Sequence, residues 1–278
     1  MGDKMRKVIL CAVVALAGSV PASATTLSPE DFVCPVGGEK FTADVIGSMT
    51  SWGQRPDGRR YGTSPIIPLT ECPGNGFVYF KDKFSKPEVE QLTPLVLAAD
   101  YQTMRKTESP FFRGWWLMSN TGQDPFDTSW MLLVASWDSD ADPARKARYL
   151  RAFIDSARAL AWSEEKRSTW FWLNLRAANA LRELGEFESS AQLLISLDQA
   201  SRLPTDADEL KGARFLLDGL KALNTEKNVT PEPANLIPEM EAAHRCLTGE
   251  ATLTASELKA CQSADIEKAK KTVQKYLK

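Results

Sequence analysis

The spacing of apolar positions changes near residue 85. Between Phe32 and Phe84 the chain is rich in Gly, Pro, Ser and Thr, and no helical repeat of apolar residues runs through it. Residues 41–46 and 77–80 carry β-branched and aromatic side chains between turn formers, which predicts two short strands. Residues 25–31 read as a lead-in. Downstream, apolar steps of three and four dominate, the signature of one helix face. Pro87 suits the first turn of a helix running to about residue 105. Helices follow over 110–118, over 127–137 with Asp127 as its cap, and from Pro143 to about 162. Ser163 precedes the clearest pattern, in which Trp170, Leu173, Ala177, Leu181 and Leu184 share one face. Gly185 takes the C′ position, and Phe187, Ala191, Leu194 and Leu197 continue at helical spacing, so the two helices form an αα-hairpin. After Pro204 a helix covers 207–223. Residues 224–238 hold Pro231, Pro233 and Pro238 and read as an exposed linker. A helix over 237–247 follows. Thr254 and Glu257 make a capping box for the next one, and Ser263 or Asp265 opens the last. The pattern predicts a mainly α protein with a small β-rich N-terminal module over 25–84 and a helical domain over 85–278.

The first 24 residues stand apart. Lys4, Arg6 and Lys7 precede an apolar run over 8–17, and Ala22-Ser23-Ala24 supplies small residues for cleavage. This is the layout of a secretory signal peptide cut after Ala24. No later run reaches the length of about 18 apolar residues that spans a bilayer. The expectation is therefore a secreted or periplasmic protein with no stable membrane span. The formal net charge is -2. The signal segment contributes +2 of this through Asp3, Lys4, Arg6 and Lys7, so the mature chain stands near -4. That balance lacks the basic face a nucleic-acid binder needs.

Cleavage removes Cys11 and leaves Cys34, Cys72, Cys246 and Cys261. Three pairings of four cysteines are formally possible in an oxidising compartment. Cys34-Pro35-Val36-Gly37-Gly38 and Cys72-Pro73-Gly74-Asn75-Gly76 look like the two facing knuckles of a zinc ribbon, which favours 34–72 and 246–261. A structural zinc needs four ligands. Gly37 and Asn75 replace the second ligand of each knuckle, so no zinc or other cofactor is expected.

Residues 32–80 resemble the uncharacterised bacterial family DUF2225. The family carries C-P-x-C-G-x-x-F, a Tyr-x-x-x-Pro segment and a second C-P-x-C-G. Here the corresponding anchors are Cys34 to Phe41, Tyr61 to Pro65, and Cys72 to Gly76. The resemblance implies a degenerate zinc-ribbon head followed by repeat-like helices, and with the signal peptide it implies a Gram-negative envelope. It implies no activity. Ala178, Leu181, Leu184, Gly185 and Phe187 resemble a tetratricopeptide repeat, with Ser190 at the usual small position.

Catalytic chemistry has little to work with. His244 is the single histidine. Its neighbour Cys246 points to another side of the predicted helix, so the two do not make a nucleophile–base pair. G-x-S-x-G, H-E-x-x-H and glycine-rich phosphate loops are missing. The terminal run Lys268, Lys270, Lys271, Lys275 and Lys278 reads as a solvated helix end. Seven of the eight tryptophans fall between 115 and 172. Trp115, Trp116, Trp170 and Trp172 are the candidate partner-binding residues, set against an aromatic-rich core. The function expected is a protein-interaction or scaffold module with a protein partner and no catalytic site. One alternative is an envelope glycan hydrolase using paired carboxylates in a Trp-lined cleft. The other is a structural subunit of an envelope assembly.

Overall fold

A computed structural model describes residues 25–64 and 66–276. The expected signal peptide, Pro65 and Lys278 lie outside the described residues. Eleven α-helices follow a small strand module of two two-stranded sheets among them.

Strand β1 (Thr26–Val33) pairs antiparallel with β2 (Lys40–Ser48), and the first Cys-Pro turn joins them. The lead-in over 25–31 is thus a strand. Its Ser, Pro, Glu and Asp have poor strand propensity, and pairing with β2 overrides it. Phe32 stacks on Phe41 with centroids 5.5 Å apart, and Thr42 Oγ1 donates to Asp31 at 2.8 Å. A second hairpin joins β3 (Ser51–Gln54) to β4 (Arg60–Gly62). Residues 77–80 do not form a strand. They keep one bridge, Glu71 to Val78, because Phe77 and Phe80 turn into an aromatic cluster with Phe84.

The two Cys-Pro turns share a backbone hydrogen-bond pattern, although Gly37 takes a φ of 92° where Asn75 keeps a negative φ. Cys34 N–H donates to Glu39 O at 2.8 Å and Gly38 N–H to Cys34 O at 3.1 Å. Cys72 N–H donates to Phe77 O at 2.8 Å and Gly76 N–H to Cys72 O at 2.9 Å. Gly38 and Gly76 share φ near +70°, at 70° and 74°, a left-handed conformation that glycine adopts without strain. Cys34 and Cys72 form a disulfide, with Cα atoms 5.8 Å apart. Gly37 and Asn75 face each other, since a Cβ on Gly37 would lie 3.6 Å from Asn75 Nδ2. The Asn75 amide instead closes the turns, donating to Val36 O at 2.6 Å and accepting from Phe77 N–H at 2.9 Å. Among the described residues no group of three or more His, Cys, Asp or Glu gathers around a metal-sized site.

Where one helix was expected over 87–105, there are two, α1 (Lys86–Leu97) and α2 (Ala99–Thr107). Ala98 is extended, and the Gln102 side chain satisfies the freed Val96 carbonyl at 2.7 Å. Helix α3 spans Pro110–Asn120, α4 Pro125–Asp138 and α5 Pro143–Arg158. The cap of α4 is Asp124, which accepts from Phe126 N–H, with Pro125 at the first helical position. Asp127 lies inside the first turn. Helix α6 (Arg167–Glu183) starts a turn later than Ser163 suggests, because Ser163 Oγ caps the Lys166 turn before it. Gly185, at φ 78°, reverses the chain into α7 (Phe187–Leu197). Glu186 N–H then closes on Leu181 O at 2.8 Å. Helix α8 is Ala207–Thr225.

Residues 224–238 are no exposed linker. Asn228, Ala234 and Leu236 are buried. Asn228 Nδ2 and Ala234 N–H donate to Glu257 at 2.8 and 3.1 Å, while Leu236 packs on Gly219. Helices α9 (Glu239–Thr248), α10 (Ala255–Cys261) and α11 (Ala264–Val273) close the chain. Ser263, rather than Asp265, caps α11. Cys246 and Cys261 pair across α9 and α10, with Cα atoms 5.8 Å apart.

The core crosses the boundary near residue 84. Cys34, Val36, Cys72 and Phe77 pack with Leu92 and Val96 of α1, Tyr101 of α2 and Leu117 of α3. A second core joins α3, α4, α5 and one face of α6, while the other face of α6 packs on α7 and α8. Helix α6 therefore runs through the centre of the body. No described helix is long and apolar enough to cross a membrane.

Candidate functional site

The β3–β4 turn enters the helical body tip first. Arg55, Pro56, Asp57 and Gly58 are all buried. Arg55 donates to both Asp57 oxygens, at 3.2 and 2.5 Å, and to Asp140 beyond α4 at 2.7 Å. Burial opposes the charge on Arg55, but Asp57 and Asp140 outweigh it and raise its pKa. Asp140 also takes Arg59 and, at 2.9 Å, Lys146 of α5. Lys146 in turn reaches Glu183 at the end of α6 at 3.1 Å. Burial pushes the Glu183 carboxyl up, and Lys146 only partly reverses that. These pairs clamp the hairpin against α4, α5 and α6.

Clamping leaves a cleft. Gln54 of β3, Asp127 and Trp130 of α4, and Thr169, Trp172 and Arg176 of α6 enclose about 350 Å³. Positions 127 and 130 lie on one face of α4, and 169, 172 and 176 on one face of α6. A second lobe of about 420 Å³ adjoins it, sharing Gln54, Trp130 and Arg176. Its walls are mostly apolar, including Ile66, Leu69, Phe111, Met131, Val134 and Trp137, with Arg60 exposed at its rim. Both volumes fall in the range of small-ligand sites, about 300–1,000 Å³.

Arg176 stands where the lobes meet. Its guanidinium carbon lies 5.3 Å from the Trp130 ring centre and 5.8 Å from that of Trp172. Both distances are within cation–π range. Gly58 brings bare backbone against it, and a Cβ there would come within 2.5 Å of Nε. Arg176 has no salt bridge among the described residues, and its Nε–H is buried without an acceptor. Burial pushes its pKa down to about 10, with Asp57 a weak opposing influence. Asp57 itself is committed to Arg55. Trp137, 6 % exposed and lining the apolar lobe, also has an indole N–H without a partner. Both atoms are closed off from solvent, so what Arg176 offers the cleft is its Nη end, which has no hydrogen-bond partner among the described residues.

The expected tryptophans divide. Trp172 lines the cleft. Trp170 packs between the two helical cores and donates its indole N–H to Leu160 O at 3.1 Å. Trp115 and Trp116, adjacent on α3, go to different cores, Trp115 beside Phe112 and Trp116 beside Tyr101. None of those three lines the cleft. Trp130 and Arg176 do, and sequence reasoning assigned neither a role. The i, i+4 spacing of Trp172 and Arg176 was the available signal. The four cysteines all lie in disulfides.

Wider troughs elsewhere are less specific. One of about 870 Å³ lies beside the β1–β2 hairpin, and its lining cation, Lys81, is already paired with Glu88. Comparison with family models, with curated proteins and with solved structures returns no match for the chain.

Proposed function

We propose that this protein is an exported protein-interaction module whose partner seats in the cleft between the β3–β4 hairpin and helices α4 and α6. The observation that carries this reading is Arg176, a half-buried cation beside two indole rings whose Nη groups have no partner among the described residues. An acceptor supplied by a partner would form a charge-assisted hydrogen bond there. The disulfides favour an oxidising address such as the periplasm.

The N-terminal module is best read as a ribbon-derived scaffold, in keeping with the DUF2225 resemblance. Two turns with the same backbone hydrogen-bond pattern meet at Cys34 and Cys72, and Asn75 ties them where a metal ligand would stand. The α6–α7 hairpin supports a tetratricopeptide-like reading of the body: Ser190 is buried at the small position and donates to Ala178 O at 2.8 Å.

Glycan hydrolysis fits less well. It needs two carboxylates across the cleft, and the residues lining the Trp130–Trp172 lobe include one, Asp127. A purely structural role calls for a continuous apolar face. The exposed large apolar residues instead sit on separate elements, from Leu27 on β1 through Ile195 on α7 to Leu258 on α10.

Photo-crosslinking tests the reading. Benzoylphenylalanine placed at Thr169 should yield discrete heavier species in envelope extract, and the same probe at Ile195 should not. Equal patterns from both positions would remove the cleft from consideration, and release of sugars from envelope glycan by the purified protein would restore the hydrolase.

A further inference from the structure

We infer that the cleft captures the free C-terminus of a peptide ending in an apolar residue, with Arg176 holding the terminal carboxylate. This rests on the reading of the cleft as a protein-binding site and specifies what it recognises.

The Trp130 and Trp172 rings approach the guanidinium at 5.3 and 5.8 Å and Gly58 closes its Nε edge, so the Nη groups at its end are its polar outlet. A planar acceptor with two oxygens takes one bond from each of them. Charge decides which acceptor. The two lobes are lined by Arg176, Arg60 and Asp127 as their charged groups, a net of +1. That balance suits a monoanionic carboxylate and leaves a phosphate dianion undercompensated. Shape decides what the carboxylate is attached to. On one side of Arg176 the 420 Å³ lobe is walled by Ile66, Leu69, Phe111, Met131 and Val134, which suits an apolar side chain. On the other, the 350 Å³ lobe presents Gln54, Asp127 and Thr169, which offer donors and acceptors to a peptide backbone. An apolar last side chain in one lobe, the carboxylate at the junction and preceding backbone in the other use both lobes at once. Capture of a C-terminal carboxylate is an established recognition mode.

The test uses the mature protein and an array of octapeptides with randomised last four residues, each made as free acid and as amide. Free acids ending in Leu, Ile, Phe or Val should bind, and amidation should weaken them by about 10–100-fold, the range for losing a charge-assisted hydrogen-bonded pair. Arg176→Met should erase the acid–amide difference. The comparison on the wild-type protein does not depend on how any variant folds. Equal binding of acids and amides overturns the inference while leaving a peptide-binding cleft in place. Binding of no peptide overturns both. Binding of 3-phenylpropanoate as tightly as the best peptide assigns the cleft to a small acid and overturns the peptide occupant.

Discussion

Two arginines on one helix, six residues apart, have opposite fates. Arg182, at the end of α6, is fully buried and fully occupied. Its Nε and Nη2 donate to Asn179 Oδ1 at 3.1 and 2.8 Å, and its Nη1 to Asn228 O at 2.6 Å. Glu183 lies 3.9 Å away. Arg176, six residues earlier, has tryptophan neighbours and no acceptor among the described residues. Burial lowers the pKa of both, so the fold disfavours each charge. At Arg182 the chain supplies the compensation itself, and that compensation organises the structure: Asn228 goes on to Glu257, which also takes Arg245 of α9 at 3.0 Å. At Arg176 no residue supplies it. The contrast separates a charge that builds the fold from one that the fold builds a place for.

The largest expected break in this contrast is Arg182→Met. It strands Asn179 Oδ1 and the Asn228 carbonyl in the interior, and should cost about 3–5 kcal/mol in urea unfolding, the range for breaking a buried charged group's contacts. Removing the Cys246–Cys261 bridge should cost about 3 kcal/mol for a loop of its length. It should leave the acid–amide difference in peptide binding unchanged, because neither cysteine lines the cleft. Acid should also destabilise the fold. Burial raises the carboxyls of Asp140 and Glu257, but Arg55 and Lys146 at Asp140 and Arg245 at Glu257 outweigh it and hold both below their usual range. Their contribution to stability is therefore present above the ordinary carboxylate pKa and is lost as pH falls through the folded values. The urea midpoint should fall as pH drops from 7 toward 3, and Asp140→Asn should flatten that fall. The smallest effect belongs to Arg176→Met. Loss of two cation–π contacts, about 0.5–1 kcal/mol each, is offset by removing a half-buried, unpaired charge, leaving the midpoint within about 1 kcal/mol of wild type.

The periodic parts of this fold were legible. Trp170 to Leu184, Gly185 and Phe187 to Leu197 announce α6, its stop and α7, because local spacing and a left-handed glycine determine them. The cysteine pairing was legible through the repeated Cys-Pro turns. The strand β1 was not, since Ser28 to Asp31 become extended only through their partners in β2. Residues 224–238 looked like a linker because three prolines mark a break in helix, and composition cannot report that Asn228 and Ala234 meet Glu257 some 25 residues later. The cleft was half legible. Trp172 stood out, but Trp115, Trp116 and Trp170 share its composition and belong to cores. Arg176 stayed hidden among the chain's many basic residues. What distinguishes it is its place at the junction of the two lobes, and that is decided by tertiary packing around the buried Gly58 turn.

The central claim is that Arg176 waits for an acceptor that Arg182 already has. The direct measurement is the side-chain Nη–H correlation of each arginine in an ¹H–¹⁵N spectrum, followed as a free-acid octapeptide ending in Leu is added. The account predicts that the Arg176 signal moves downfield to saturation, that the amide peptide fails to move it, and that the Arg182 signal stays fixed throughout. An Arg176 signal that ignores the carboxylate, or that already sits at the position of an ion-paired guanidinium before any peptide is added, would contradict it.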